Sequence, residues 1–166
     1  MLRLLIALAA AAMASGAVAA PLTPGGWGRL RVGMSEAEAV HRFGLTAPPD
    51  LSDDPRECQE WEAHPAIPGL VVMTRHGRVA RISLYKGASI QTDRGLGVGA
   101  REAEVRKRYG PALRTTPHAY EAAPAHYLTA WDRRAGRGIR YETDDHGRVT
   151  AIHAGDRSIE YIEGCL

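Results

Sequence analysis

A twelve-residue phrase that the chain states twice constrains its fold more than anything else in it. Gly33-Met34-Ser35-Glu36-Ala37-Glu38-Ala39-Val40-His41-Arg42-Phe43-Gly44 returns as Gly99-Ala100-Arg101-Glu102-Ala103-Glu104-Val105-Arg106-Lys107-Arg108-Tyr109-Gly110. The copies lie 66 positions apart, and Glu36/Glu102, Glu38/Glu104, Arg42/Arg108, Phe43/Tyr109 and Gly44/Gly110 all keep that offset. A second echo trails each copy at an offset of 70: His76-Gly77-Arg78-Val79 with Ile82, then His146-Gly147-Arg148-Val149 with Ile152. Two structural units of one kind are expected, about 28–90 and about 95–165.

Each copy carries the chemistry of a helix start. Ser35 followed by Glu38 is a capping box, in which the hydroxyl accepts from the amide three residues on and the glutamate reaches back. Ala39, Val40 and Phe43 then form an apolar stripe, and Gly44 stands where a helix end favours a left-handed residue. The second copy keeps the stripe with Val105 and Tyr109 and stops at Gly110-Pro111. Its N-cap position is Arg101, which has no side-chain acceptor, so its box is weaker. The glutamate pairs Glu36/Glu38 and Glu102/Glu104 are placed by the cap and the helix dipole rather than by acid–base work. Strand patterns follow. In Gly138–Thr143, Ile139 and Tyr141 alternate with Arg140 and Glu142, and Asp145-His146-Gly147 reads as a hairpin turn into Val149–Ile152. Leu70–Met73, a turn at His76-Gly77 and Val79–Leu84 repeat the arrangement. Val79 and Ile82 break strict alternation, which suggests a bulge. Ser158–Ile162 reads as a final strand. The expected class is α+β: two tandem helix-plus-antiparallel-meander repeats forming one sheet, with helices on one face.

Residues 1–19 read as a signal peptide rather than as part of the fold. Arg3 is the charged region, Leu4–Ala12 the apolar region, and Ala17-Val18-Ala19 the cleavage signal. Residues 20–166 then form a single domain, large enough to bury a core without a metal. The formal charge is +2, one unit of which belongs to Arg3, and no concentrated basic run suggests nucleic acid. After signal removal no stable membrane insertion is expected. The acidic loop at Asp53-Asp54 lacks the ligand spacing of a calcium site. Two cysteines, Cys58 and Cys165, are expected to form one disulfide in an exported chain, closing a loop of 107 residues. The rival, a redox or metal thiol pair, lacks a Cys-x-x-Cys and neighbouring ligands.

No catalytic signature stands in the chain: no Gly-x-Ser-x-Gly elbow, no Walker loop, no His-Glu-x-x-His. Gly95-Leu96-Gly97-Val98-Gly99 is glycine-rich but leads into a helix as its counterpart does. The expectation is therefore a non-enzymatic chain with no cofactor, no metal and no catalytic residue. His118, His126 and His153 are the histidines that could meet at a metal, without spacing to support it. Large aromatics on strand patterns remain. Trp61, Tyr127 and Trp131 are the candidate partner-binding residues, since aromatics beside arginines make interaction hot spots; the competing reading places at least two of them in the core. An enzyme would instead need a histidine such as His126 to meet a carboxylate such as Asp132, Glu142 or Asp144 in a cleft.

The motif from Arg29 to Phe43, followed by an antiparallel meander and repeated at Gly99–Pro111, resembles two groups. One is the small outer-membrane lipoproteins of the SmpA/OmlA type; the other is the tandem β-lactamase-inhibitor-protein-like domains. Most similar over Gly28–Cys165 is a set of uncharacterised exported Gram-negative proteins. The resemblance implies a two-layer α+β fold with a curved sheet and a non-enzymatic, partner-binding role. Unlike SmpA/OmlA proteins, this chain lacks the acylation cysteine and carries two units. The reading is a soluble periplasmic or secreted binding protein that holds an envelope protein on its sheet. The alternative is a periplasmic hydrolase acting on cell-wall or carbohydrate substrates, and a third possibility is a stability module in a larger envelope assembly.

Overall fold

The computed structural model describes residues 20–47, 54, 56–63 and 65–165. The signal-peptide expectation and most of the acidic loop lie outside the described residues. The fold is α+β, with two α-helices and two antiparallel sheets among the described residues. Three two-residue strands come first, β1 (Leu22–Thr23), β2 (Gly26–Trp27) and β3 (Leu30–Arg31), in a small meander of their own. Helix α1 (Glu36–Phe43) leads to β4 (Cys58–Glu62), β5 (Leu70–Arg75) and β6 (Arg78–Leu84). Helix α2 (Glu102–Tyr109) leads to β7 (Leu113–Pro117), β8 (His126–Asp132), β9 (Arg137–Thr143) and β10 (Val149–Gly155). The seven long strands form one sheet in the order β4-β5-β6-β10-β9-β8-β7.

Two expectations are corrected. The first is the single sheet: the glycine-rich lead-in folds as the three-stranded sheet, where Gly26 (φ 142°) lets β2 pass so close to Leu30 that a Cβ would stand 2.2 Å from its carbonyl oxygen. The second is the terminal strand. Ser158–Ile162 forms no strand: Arg157–Glu160 is a 3-10 turn, capped where Asp156 accepts from the Ser158 amide at 2.8 Å. Both sheet edges are already formed by β4 and β7, so the tail has no edge beside β10 to join.

Both phrases fold as helices and dock through matching backbone contacts. Gly33 N donates to Val79 O at 2.7 Å, and Gly99 N to Val149 O at 2.8 Å. Glu36 N donates to Gly77 O and Glu102 N to Gly147 O, each at 2.9 Å. Arg78 reaches the Gly33 carbonyl and Arg148 the Gly99 carbonyl.

Strand register sorts the sheet into faces, because residues directly opposite one another share a face. One row runs Trp61, Val72, Ile82, Ala154, Ile139, Ala130, Leu113. This face builds the core with Leu22, Leu30, Ala39 of α1 and Val105 of α2. The other face is largely polar. One of its rows is Glu62, Val71, Ser83, His153, Arg140, Thr129, Arg114, and the next is Glu60, Met73, Arg81, Gly155, Gly138, Trp131. In the second row Gly155 lets β10 press against the Ala80–Arg81 backbone of β6, and Gly138 leaves room for the C-terminal turn. At Gly138 an added Cβ would stand 2.9 Å from Ile159 Cδ1 and 2.8 Å from Trp131 Cε3.

Beyond the turn the tail runs back to β4. Arg81 donates to the Ser158 and Tyr161 carbonyls, both at 3.1 Å, and pairs with Glu60 at 2.8 Å. The Cys58–Cys165 disulfide then fixes the tail to the sheet edge. The expected bridge is present, and it fastens a tail rather than a strand.

Candidate functional site

Three clusters of polar side chains emerge. The first joins each helix to the sheet. Thr74 Oγ1 donates to Glu36 Oε2 at 2.6 Å and accepts from the Trp61 indole N–H at 2.9 Å. In the second half Thr143 Oγ1 donates to Glu102 Oε2 at 3.2 Å, while His126 Nδ1 lies 3.1 Å from the same oxygen. Burial raises the Glu102 pKa, but hydrogen bonds from His126 and Arg106 outweigh it and hold the carboxyl below its usual value. His126 thus meets Glu102 rather than Asp132, Glu142 or Asp144; the histidines that reach one of those carboxylates are His118 and His153, both at Glu142. Both arrangements tie the first-turn glutamate of a helix to a threonine of the sheet.

The second cluster lies on the polar face, under the tail. His153 on β10 is 2 % exposed. Its Nδ1 is 2.8 Å from Ser83 Oγ and its Nε2 3.2 Å from Glu142 Oε1. The carboxylate only accepts, so the proton sits on Nε2 and Ser83 donates to Nδ1. His118 Nε2 stands 3.7 Å from the other Glu142 oxygen and its ring stacks on Tyr127 at 4.4 Å. Arg140 crosses the Tyr127 ring at 4.3 Å and donates from Nε to Thr129, while its Nη1 is buried without a partner. Burial pushes the His153 pKa down and keeps the ring neutral. At Glu142 burial pushes upward, yet the His153 hydrogen bond, with His118 and the Arg140 guanidinium nearby, leaves the carboxyl below its ordinary value. The two directions agree on one state, an ionised Glu142 beside a neutral His153. A cavity of about 250 Å³ opens here between Glu60, Arg81, Tyr85 and the tail at Tyr161–Gly164.

Hydroxyl, imidazole and carboxylate in a chain is the order of a nucleophilic site. Ser83, however, is 1 % exposed and does not line the cavity. No carbonyl can reach its oxygen in this conformation.

The third cluster is a groove of about 670 Å³ beside Trp131, on the same polar face. Its walls hold Arg114, Arg133 and Arg157, with Glu160 as the opposing carboxylate among the described residues. Trp131 is half-buried, laid across Gly138, and also borders a second hollow with Arg94 and Arg134.

The three aromatic candidates are therefore dispersed. Trp61 is half-buried on the core-facing row and tied to Thr74. Tyr127 is 3 % exposed under His118 and Arg140. Trp131 alone of the three borders a groove. Nor do the three histidines meet: His118 and His153 flank Glu142, while His126 stays with Glu102. What sequence reasoning missed is the polar row itself, Ser83, Arg81 and Arg140 among it. Its signal was present, in a lone arginine and serine alternating with Ile82 and Leu84 inside an apolar run.

No protein-family model matches the chain, and no curated protein matches it. Among solved structures it is similar to a cysteine-rich secretory protein from Staphylococcus aureus subsp. aureus Mu50, at a TM-score of 0.37 and 10% identity. The match covers 76% of this chain and 44% of that one, so the chain spans under half the length of this neighbour.

Proposed function

We propose that the chain is an exported, non-enzymatic binding protein of the cell envelope, soluble in the periplasm or secreted, which holds a partner protein against its polar sheet face. The observation that carries this is the Trp131 groove. A half-buried tryptophan fixed over a glycine and surrounded by arginines has the composition of an interaction hot spot. The apparent leader and the disulfide support the compartment, and among the described residues no helix is long and apolar enough to cross a membrane. The two helix-and-meander halves, read as tandem repeats, give the face its breadth, in keeping with the resemblance to inhibitor-type domains.

The test uses the oxidised mature protein as bait in envelope extracts, beside Trp131→Ala, Arg133→Glu and Trp61→Phe. One saturable partner should be retained by the wild type and by Trp61→Phe, and lost with both groove variants. Retention of the same partner by folded Trp131→Ala and Arg133→Glu would remove the groove from the reading.

A second reading, a periplasmic hydrolase, has the Ser83–His153–Glu142 chain in its favour. It requires the tail to move and admit substrate to Ser83. A serine-directed fluorophosphonate that labels Ser83, and fails to label His153→Gln, would put the hydrolase first.

A further inference from the structure

We infer that the partner presents an extended acidic segment, which adds as an eighth strand to the outer edge of β7; this rests on the binding reading above. Two independent features converge on it. The first is an open edge. Among the described residues β7 pairs on one side only, with β8. The far edge of the sheet is treated differently: Thr46 exchanges two backbone hydrogen bonds with Glu62 of β4, at 2.9 and 2.8 Å, and Cys58 is tied to the tail. An unpaired strand edge offers a row of amides and carbonyls to any extended chain, and proteins commonly guard it with charge or proline. β7 has both, Arg114 in its middle and Pro117 at its end, and the Leu113 amide is spent on the Gly110 carbonyl, so the outer edge offers the Thr115 amide with the carbonyls of Leu113, Thr115 and Pro117.

The second feature is charge. Arg114 lies in register with Thr129 and Arg140 on the polar face, and its side chain is 67% exposed with one weak contact, Glu160 at 3.5 Å. Arg133 and Arg157 stand across the adjoining groove. A guest strand would place alternate side chains on this face, next to Arg114, and the others beside Leu113 and Thr115. The complementary sequence therefore alternates acidic with apolar or β-branched residues. The same positive charge opposes a second copy of this edge, so the device both excludes and selects. A short set of main-chain bonds centred on Thr115 fixes the guest strand, and the arginines supply most of the affinity and the register.

The test pans a random twelve-residue peptide library on the oxidised mature protein, then follows amide hydrogen exchange with the selected peptides bound. Expected are peptides alternating Asp or Glu with β-branched residues, slowed exchange confined to β7, and at least ten-fold weaker binding to Arg114→Glu. Arg108→Glu, an exposed reversal on α2, should bind as the wild type does. Selection of no peptide, or of peptides without acidic alternation, overturns the inference. So does acidic binding that heparin displaces while β7 amides exchange freely, since that marks a polyanion surface. If an envelope partner is lost with Trp131→Ala but kept by Arg114→Glu, the binding face stands and strand addition falls.

Discussion

His153 shows how much a single side chain can carry when it is buried among polar neighbours. Glu142, Arg81 and Arg140 all bear on the ring, and burial dominates, so the folded protein holds it neutral. The unfolded chain takes up a proton near the ordinary imidazole value, about 6.5. Below that pH the unfolded state binds more protons than the native state, and stability falls as pH falls. Glu142 adds a second loss of the same sign lower down, because its carboxyl is also held below its ordinary range. A single proton is worth at most about 1.4 kcal/mol per pH unit. Thermal melting between pH 7 and 5 should therefore show a steeper decline for the wild type than for His153→Gln. Parallel curves would mean that His153 is not the titrating group. None of this was legible in the sequence, where His153 is one of seven histidines and lies far along the chain from Ser83.

At the scale of elements the caps separate what the chain encodes locally from what tertiary contact decides. In α1 the Glu38 amide donates to Ser35 Oγ at 3.3 Å; in α2 the Arg101 amide donates to Glu104 Oε2 at 2.7 Å. Arg101 already has the extended backbone of an N-cap (φ −83°, ψ 143°) and is exposed, but its side chain has nothing to accept with. Arg101→Ser should complete the box and raise stability by about 0.5–1 kcal/mol; urea denaturation reads the change, and an unchanged midpoint would show that the cap is limited elsewhere. Such local chemistry is why both helices could be read from their phrases, as could the turn at Asp145-His146-Gly147. The strands were harder. β6 and β10 sit at the centre of the sheet and are covered on both faces, so Val79–Leu84 is buried at every position and alternation vanishes. The tail failed differently. Ser158-Ile159-Glu160-Tyr161-Ile162 has strand composition, yet the Asp156 cap and the lack of a free edge beside β10 turn it into a 3-10 turn.

For the molecule as a whole the disulfide decides how the polar face is presented. It joins the tail to β4 across 107 residues of chain, and the tail it holds forms one wall of the cavity over Glu142 and His153. Arg81 contributes two hydrogen bonds to the same segment, and Tyr120 meets Glu163 from the loop before β8. Three anchors, the disulfide, Arg81 and Tyr120, thus act on one strap. Loop-closure entropy for a ring of this length is worth up to about 4–5 kcal/mol, and a hydrogen bond from a charged donor about 1.5–3 kcal/mol. In Cys58→Ser/Cys165→Ser the global loss should approach the first figure. Because Arg81 still holds the Ser158 and Tyr161 carbonyls, the Arg157–Glu160 turn should stay protected from hydrogen exchange while residues 162–165 exchange freely. Adding Arg81→Met should release the turn as well. Were the double serine variant to free the whole segment from Arg157 onward, the disulfide would be the sole clasp and Arg81 only a passenger. Were exchange unchanged throughout, the tail would be held by the packing of Ile159 on Gly138, and the cavity beneath it would be shaped by that contact rather than by the anchors.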